Sequence, residues 1–126
     1  MLTILHNPRC SKSRKWLELL KKTNKEFQIR EYLKEPLSLE ELKDLQKKLW
    51  LKVIEFTRTK EKEFKELWLT KNSTNDELLQ AIVKVPKLLE RPIIYNEKKA
   101  VLWRPEPEEK FNIFLIFYKH RLTPIL

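Results

Sequence analysis

The spacing of apolar positions changes several times along the 126 residues. Leu2 to His6 (LTILH) is a short apolar run closed by Asn7-Pro8, a turn signal, and it predicts a buried strand. From Ser11 to Lys22, Trp16, Leu17 and Leu20 recur at helical spacing with Lys and Arg on the opposite side, which predicts an amphipathic helix. Phe27 to Leu33 (FQIREYL) predicts a second strand with Phe27, Ile29 and Tyr32 directed inward, and Pro36 closes it.

Ser38-Leu39-Glu40-Glu41 reads as a capping box, and the helix it opens carries Leu39, Leu42, Leu45 and Leu49 on one face. A less regular stretch follows from Lys52 to Thr70. Thr74-Asn75-Asp76-Glu77 is a second capping box, opening a helix through Leu78, Leu79, Ile82 and Val83 that Pro86 disturbs. Pro92-Ile93-Ile94-Tyr95 and Ala100-Val101-Leu102-Trp103 flank the short polar Asn96–Lys99 stretch and predict a hairpin. Pro105 to Glu109 suits the start of a last helix, and Phe111 to Tyr118 is apolar on nearly all sides. The order β-α-β, helical block, β-β-α predicts one α/β domain over residues 1–126, with the helical block at about 36–89.

Composition narrows the chemistry. Apolar residues are 41% and charged residues 36%, enough of each for a folded soluble domain. Glycine is absent, which excludes Gly-rich phosphate loops and dinucleotide fingerprints and leaves turns to Pro, Asn, Asp, Ser or a charged residue. The net charge of +9 favours encounter with anions, whether a small oxyanion or nucleic acid. Nucleic acid ranks last, because the aromatics fall on apolar faces instead of interleaving with basic residues. One cysteine allows no internal disulfide and makes a Cys-based metal site an unfavoured reading, so no metal is expected. The chain shows neither a signal-peptide pattern nor an apolar run of the ~20 residues needed to span a bilayer, so the expectation is a cytoplasmic protein without membrane contact.

Cys10 follows the first strand and its turn and immediately precedes the first helix. Unpartnered N–H groups and the positive dipole end at such a position favour a thiolate, and Arg9, Lys12 and Arg14 add charge. The plain alternative is a small core thiol, but position and local charge favour a functional one. His6 has two balanced readings, a packed strand-end residue or an imidazolium that stabilises the Cys10 anion. His120 reads as surface. Arg58, Arg91 and Arg104 stand at a loop and at two strand ends. Arginine suits a multidentate grip on an oxyanion, yet by spacing alone each is an ordinary surface residue.

The segment His6-Asn7-Pro8-Arg9-Cys10-Ser11-Lys12-Ser13-Arg14 resembles the active-site segment of the glutaredoxin-dependent arsenate reductase family. Glu90-Arg91-Pro92-Ile93-Ile94, Arg104-Pro105-Glu106 and Arg58-Thr59-Lys60-Glu61 extend the resemblance over nearly the whole chain. It implies a thioredoxin-like fold, a four-stranded mixed sheet with a helical insertion between its β-α-β and β-β-α halves. It implies that Cys10 attacks arsenate, that Arg58, Arg91 and Arg104 hold the oxyanion, and that His6, Ser13 and Arg14 support the thiolate. Pro92 would be the cis proline that this fold places beside its active thiol. No bound cofactor is implied. Glutathione would be the reducing co-substrate, glutaredoxin the protein partner, and the working form a monomer. An outside thiol is also required by the single cysteine.

Two departures stand out. Ser11 occupies the place of a glycine after the cysteine, and the segment from Pro105 is stretched and apolar. The Cys10-Ser11-Lys12-Ser13 form resembles a less-characterised branch of the family. The competing reading is a redox-regulatory protein of the same fold that binds a partner such as RNA polymerase, without arsenate reductase activity. Such proteins switch through a Cys-x-x-Cys pair, and Ser13 stands where the second cysteine would be.

Overall fold

The computed structural model describes residues 1–23 and 26–102. Trp103, Arg104, the expected last helix and His120 lie outside the described residues. Two compact units divide the chain, one of Met1–Arg30 with the segment from Arg91 onward, the other Glu31–Glu90.

The first unit holds the mixed four-stranded sheet of the thioredoxin-like expectation, in the order β2-β1-β3-β4. Strand β1 (Leu2–Leu5) is central, and all four of its residues are buried. A strand enclosed on both faces reads as an unbroken apolar run, which explains the LTIL pattern. Strand β2 (Phe27–Arg30) pairs parallel to β1 with Leu2 opposite Phe27 and Leu5 opposite Arg30. A parallel pair needs a crossover, and helix α1 (Ser11–Lys21) supplies it. Its apolar stripe seats Trp16 and Leu20 on Leu2, Ile4 and Ile94, and all five are fully buried. Each such side chain contributes about 1.5–3 kcal/mol on burial.

Strand β3 (Ile93–Tyr95) runs antiparallel to β1, and β4 (Ala100–Leu102) closes a hairpin with β3. The hairpin turn needs no glycine, because Asn96 Oδ1 accepts the N–H groups of Lys98 and Lys99, both at 2.8 Å.

Strand β2 corrects the expectation. It stops at Arg30, not Leu33, and Ile29 is 47% exposed instead of inward. The ladder ends because β1 ends. After Leu5 the His6 N–H still reaches back to Arg30 O at 2.9 Å, and Lys34 and Glu35 then donate to Glu31 O in a turn. An edge strand has a neighbour on one side alone, so alternation there predicts burial poorly. Tyr32 is buried as expected, but outside the strand.

The second unit is helical. Both capping boxes are present. Ser38 opens α2 (Leu39–Leu49) and Thr74 opens α4 (Asn75–Lys84); each hydroxyl accepts the N–H of the glutamate three residues on, and each cap N–H donates to that glutamate's carboxylate. Leu42, Leu45 and Leu49 of α2 and Leu78, Leu79, Ala81 and Ile82 of α4 are buried, while Val83 lies at the exposed edge of its stripe. The stretch that looked irregular contains a 3-10 turn (Val53–Phe56), burying Val53 and Phe56, and the short helix α3 (Lys62–Glu66), burying Phe64. Elements this brief leave too few residues for a period to show. The chain then zips to the end of the unit: Arg58 N–H donates to Leu88 O at 2.7 Å, and Glu90 N–H to Phe56 O at 2.9 Å.

Without glycine, two tryptophans take left-handed backbone conformations, Trp50 at φ 58° after α2 and Trp68 at φ 60° after α3. A Cβ is unfavourable there, and glycine is the usual occupant. Trp68 is 91% exposed, so its side chain contributes little burial that could offset this. We expect Trp68→Gly to be neutral or to stabilise the protein by up to ~1 kcal/mol in chemical denaturation, and Trp68→Val to destabilise it. Loss of stability in the glycine variant would show that the indole holds the turn.

Candidate active site

The turn between β1 and α1 is organised by Asn7. Its side-chain Oδ1 accepts from Arg9 N–H, and its carbonyl accepts from Cys10 N–H, both at 3.0 Å. Its own N–H donates to Ser13 Oγ at 3.0 Å. Asparagine turns of this kind substitute a side chain for a backbone turn and do not require a glycine. Arg14 Nη1 reaches round the loop to donate to Pro8 O at 2.9 Å.

This turn delivers Cys10 to the N-cap of α1 in an extended conformation, φ −96° and ψ 122°. The thiol is in no disulfide and is half-buried. Its side chain makes no capping hydrogen bond of ordinary geometry, but the N–H groups of Ser13 and Lys12 act on the sulphur as oriented donors. Partial burial pushes the thiol up. The Ser13 N–H, the Arg91 charge, the Lys12 N–H and a hydrogen bond from the Arg91 side chain push it down and prevail, so Cys10 ionises below its ordinary value.

Arg91 reaches this position through the sheet register. Leu5 pairs with Ile93, so Pro92 and Arg91 precede β3 at the same end of β1 from which the Cys10 loop departs. The Arg91–Pro92 peptide is cis, as the fold resemblance implied, and Pro92 is buried.

His6 and Ser13 form the buried floor. His6 is 6% exposed and Ser13 has no exposed surface. His6 Nδ1 and Ser13 Oγ share a hydrogen bond of 2.7 Å, and the proton's position depends on the imidazole tautomer. Nothing in the seven-residue separation announced this pair, although Ser13 on the inner face of the predicted helix was a usable signal.

The structure therefore brings together Cys10, His6, Ser13, Arg14, Arg91 and Pro92. Arg104 lies outside the described residues. Arg58 belongs to the second unit, where its Nη2 pairs with Glu61 Oε1 at 2.8 Å. Glu61 was missed as a partner, though an acidic residue three positions after an arginine is a common pairing. Among the described residues no group of three or more His, Cys, Asp or Glu side chains could hold a metal ion, and no helix is long and apolar enough to cross a membrane.

A half-buried thiol at a helix N-terminus, with an arginine on it, is equipped to act as a nucleophile toward an anion. We expect the alkylation rate of Cys10 to rise with pH through a midpoint below the ~8.5 of a free thiol, and Arg91→Ala to move that midpoint upward. A midpoint unchanged in Arg91→Ala would remove the arginine from the account.

Comparison with known proteins agrees over most of the chain. The ArsC family model matches residues 5–111. The uncharacterized protein YfgD of Escherichia coli (strain K12) is 46% identical over 112 residues, covering 87% of this chain and 93% of that protein. An arsenate reductase of Neisseria meningitidis serogroup A is 45% identical over 106 residues, covering 82% and 91%. Among solved structures, the arsenate reductase from Vibrio cholerae superposes with a TM-score of 0.81 at 41% identity, covering 89% of this chain and 96% of that one.

Proposed function

The chain belongs to the ArsC family, and on that premise we propose that it is an arsenate reductase in which Cys10 is the nucleophile. The observation that carries the reading is the Cys10 thiol held below its ordinary pKa by helix N–H groups and by Arg91. Several relatives named as arsenate reductases support the choice of oxyanion.

In the first step the Cys10 thiolate attacks arsenic(V). A sulphur–arsenic bond forms, an arsenic–oxygen bond breaks, and the departing oxygen leaves as water once protonated. Attack brings one anion onto another, so a fixed cation is needed at the contact. Arg91 is the candidate for this, and the family reading adds Arg58 and Arg104. The Arg91 guanidinium serves both stages, favouring the thiolate before attack and the adduct afterwards. Ser13 and His6 hold the first turn of α1 so that its N–H groups stay aimed at the sulphur. Arg14 secures the loop through Pro8.

In the second step a glutathione thiolate attacks the Cys10 sulphur. The sulphur–arsenic bond breaks with its electron pair going to arsenic, which leaves as arsenite. Cys10 is left in a mixed disulfide with glutathione. The thiol of glutaredoxin then exchanges with that disulfide and restores Cys10. The outside thiol follows from the chain's single cysteine. No bound cofactor is needed, and the proposed setting is a reducing cytoplasm, where such thiols are available.

The test is arsenite production from arsenate with glutathione and glutaredoxin. Cys10→Ser should abolish it. Arg91→Ala should lower kcat/KM by roughly 10²–10³, the worth of a transition-state charge contact of ~2.7–4 kcal/mol. Turnover in Cys10→Ser would end the proposal.

A further inference from the structure

The second unit contains a row of alternating charges around Arg58. Arg58 Nη2 meets Glu61 Oε1 at 2.8 Å. The other carboxylate oxygen of Glu61 lies 3.5 Å from Lys87 Nζ, and Lys87 Nζ lies 3.0 Å from Glu63 Oε2. The Arg58 and Glu61 side chains are 25% and 21% exposed, so their contact is better shielded than an ordinary surface pair, while Lys87 is 42% exposed. The hydrogen bond between Lys87 and Glu63 holds the carboxylate below its usual range and the ammonium above its own, so both stay charged around neutral pH.

Backbone hydrogen bonds bring the members of the row together. Arg58 N–H is bonded to Leu88 O, beside Lys87, and Glu61 N–H is bonded to Arg58 O at 3.2 Å. Glu61 is the N-cap of α3, yet its side chain makes no capping hydrogen bond. The carboxylate that could cap its own helix points to Arg58 and Lys87 instead. Its contact with Arg58 uses Nη2, one of the three guanidinium nitrogens, and an anion could be met through the other two.

We propose that Glu61, itself anchored by Lys87, is a positioning residue that holds the Arg58 guanidinium in one orientation for the oxyanion. This rests on the reading that Arg58 is one of the oxyanion-holding arginines. A carboxylate on an anion-binding arginine has two opposing effects: it fixes the guanidinium and it offsets its charge. Lys87 shifts the balance toward fixing, because it offsets the Glu61 charge in turn. The effect that matters is then the reach of the side chain to Nη2. The carbonyl of a glutamine can make that contact, and an aspartate, one methylene shorter, cannot make it without moving the arginine.

Steady-state kinetics with arsenate, glutathione and glutaredoxin on the full chain separates these cases. Glu61→Asp should raise KM for arsenate, with kcat/KM falling roughly 10- to 100-fold, the scale of a misplaced binding group. Glu61→Gln should recover most of that loss. Cys10 alkylation by neutral iodoacetamide should keep its rate in both, which shows that the fold and the thiol are intact. In an Arg58→Ala background, Glu61→Asp should add no further loss. If Glu61→Gln is as impaired as Glu61→Asp, or Glu61→Asp matches wild type, the positioning role is refuted while the arginine reading stands. If Arg58→Ala itself turns over arsenate like wild type, the reading of Arg58 fails, and this proposal with it.

Discussion

The Ser13 hydroxyl has no exposed surface, and it joins the end of β1 to the first turn of α1. It accepts the Asn7 N–H and shares a hydrogen bond with His6 Nδ1. A buried hydroxyl left without partners costs ~1–3 kcal/mol, so the loop between these anchors cannot open cheaply. That loop carries Cys10. The direction of the Lys12 and Ser13 N–H groups relative to the sulphur follows from the clasp, and these donors, together with Arg91, outweigh burial and lower the thiol pKa. In a chain without glycine the same geometry has to come from side chains, and Asn7 supplies it with its amide oxygen and both of its backbone groups.

Above this floor the electrostatics are simple. A thiolate and an oxyanion repel one another, and a site that joins them must hold positive charge that cannot be lost by deprotonation. Arginine meets that requirement where lysine would shift its pKa. Arg91 is brought to Cys10 by the sheet: β3 pairs with β1 in a register that places residues 91 and 92 at the exit of the first strand. Fold and site thus share one cause, because the strand pairing that buries Ile94 against Leu2, Ile4 and Trp16 also aims Arg91.

Much of this was legible in the residues. The capping boxes at Ser38 and Thr74 are local, complete within four residues, and both formed as read. The activated position of Cys10 follows from the junction of strand and helix, which is also local. Features that depend on distant partners were not legible. Ile29 looks inward by alternation, but its exposure depends on where β1 stops. The bond between His6 and Ser13 closes across a loop whose path the spacing does not state. The pairing of Glu61 with Lys87 spans the whole of α4 and is created by backbone bonds between residues 56–58 and 88–90. The left-handed turns at Trp50 and Trp68 were hidden for another reason, since tryptophan is among the last residues one would choose for them.

The central claim is that Cys10 passes through an arsenic adduct that an outside thiol resolves. Intact-mass and peptide mass spectrometry after incubation with glutathione under anaerobic conditions, with and without arsenate and without glutaredoxin, tests it most directly. The account predicts one glutathione bound through a disulfide to Cys10, formed only when arsenate is present and released by adding glutaredoxin. A mixed disulfide that forms equally without arsenate, or none at all while arsenite accumulates, would contradict it.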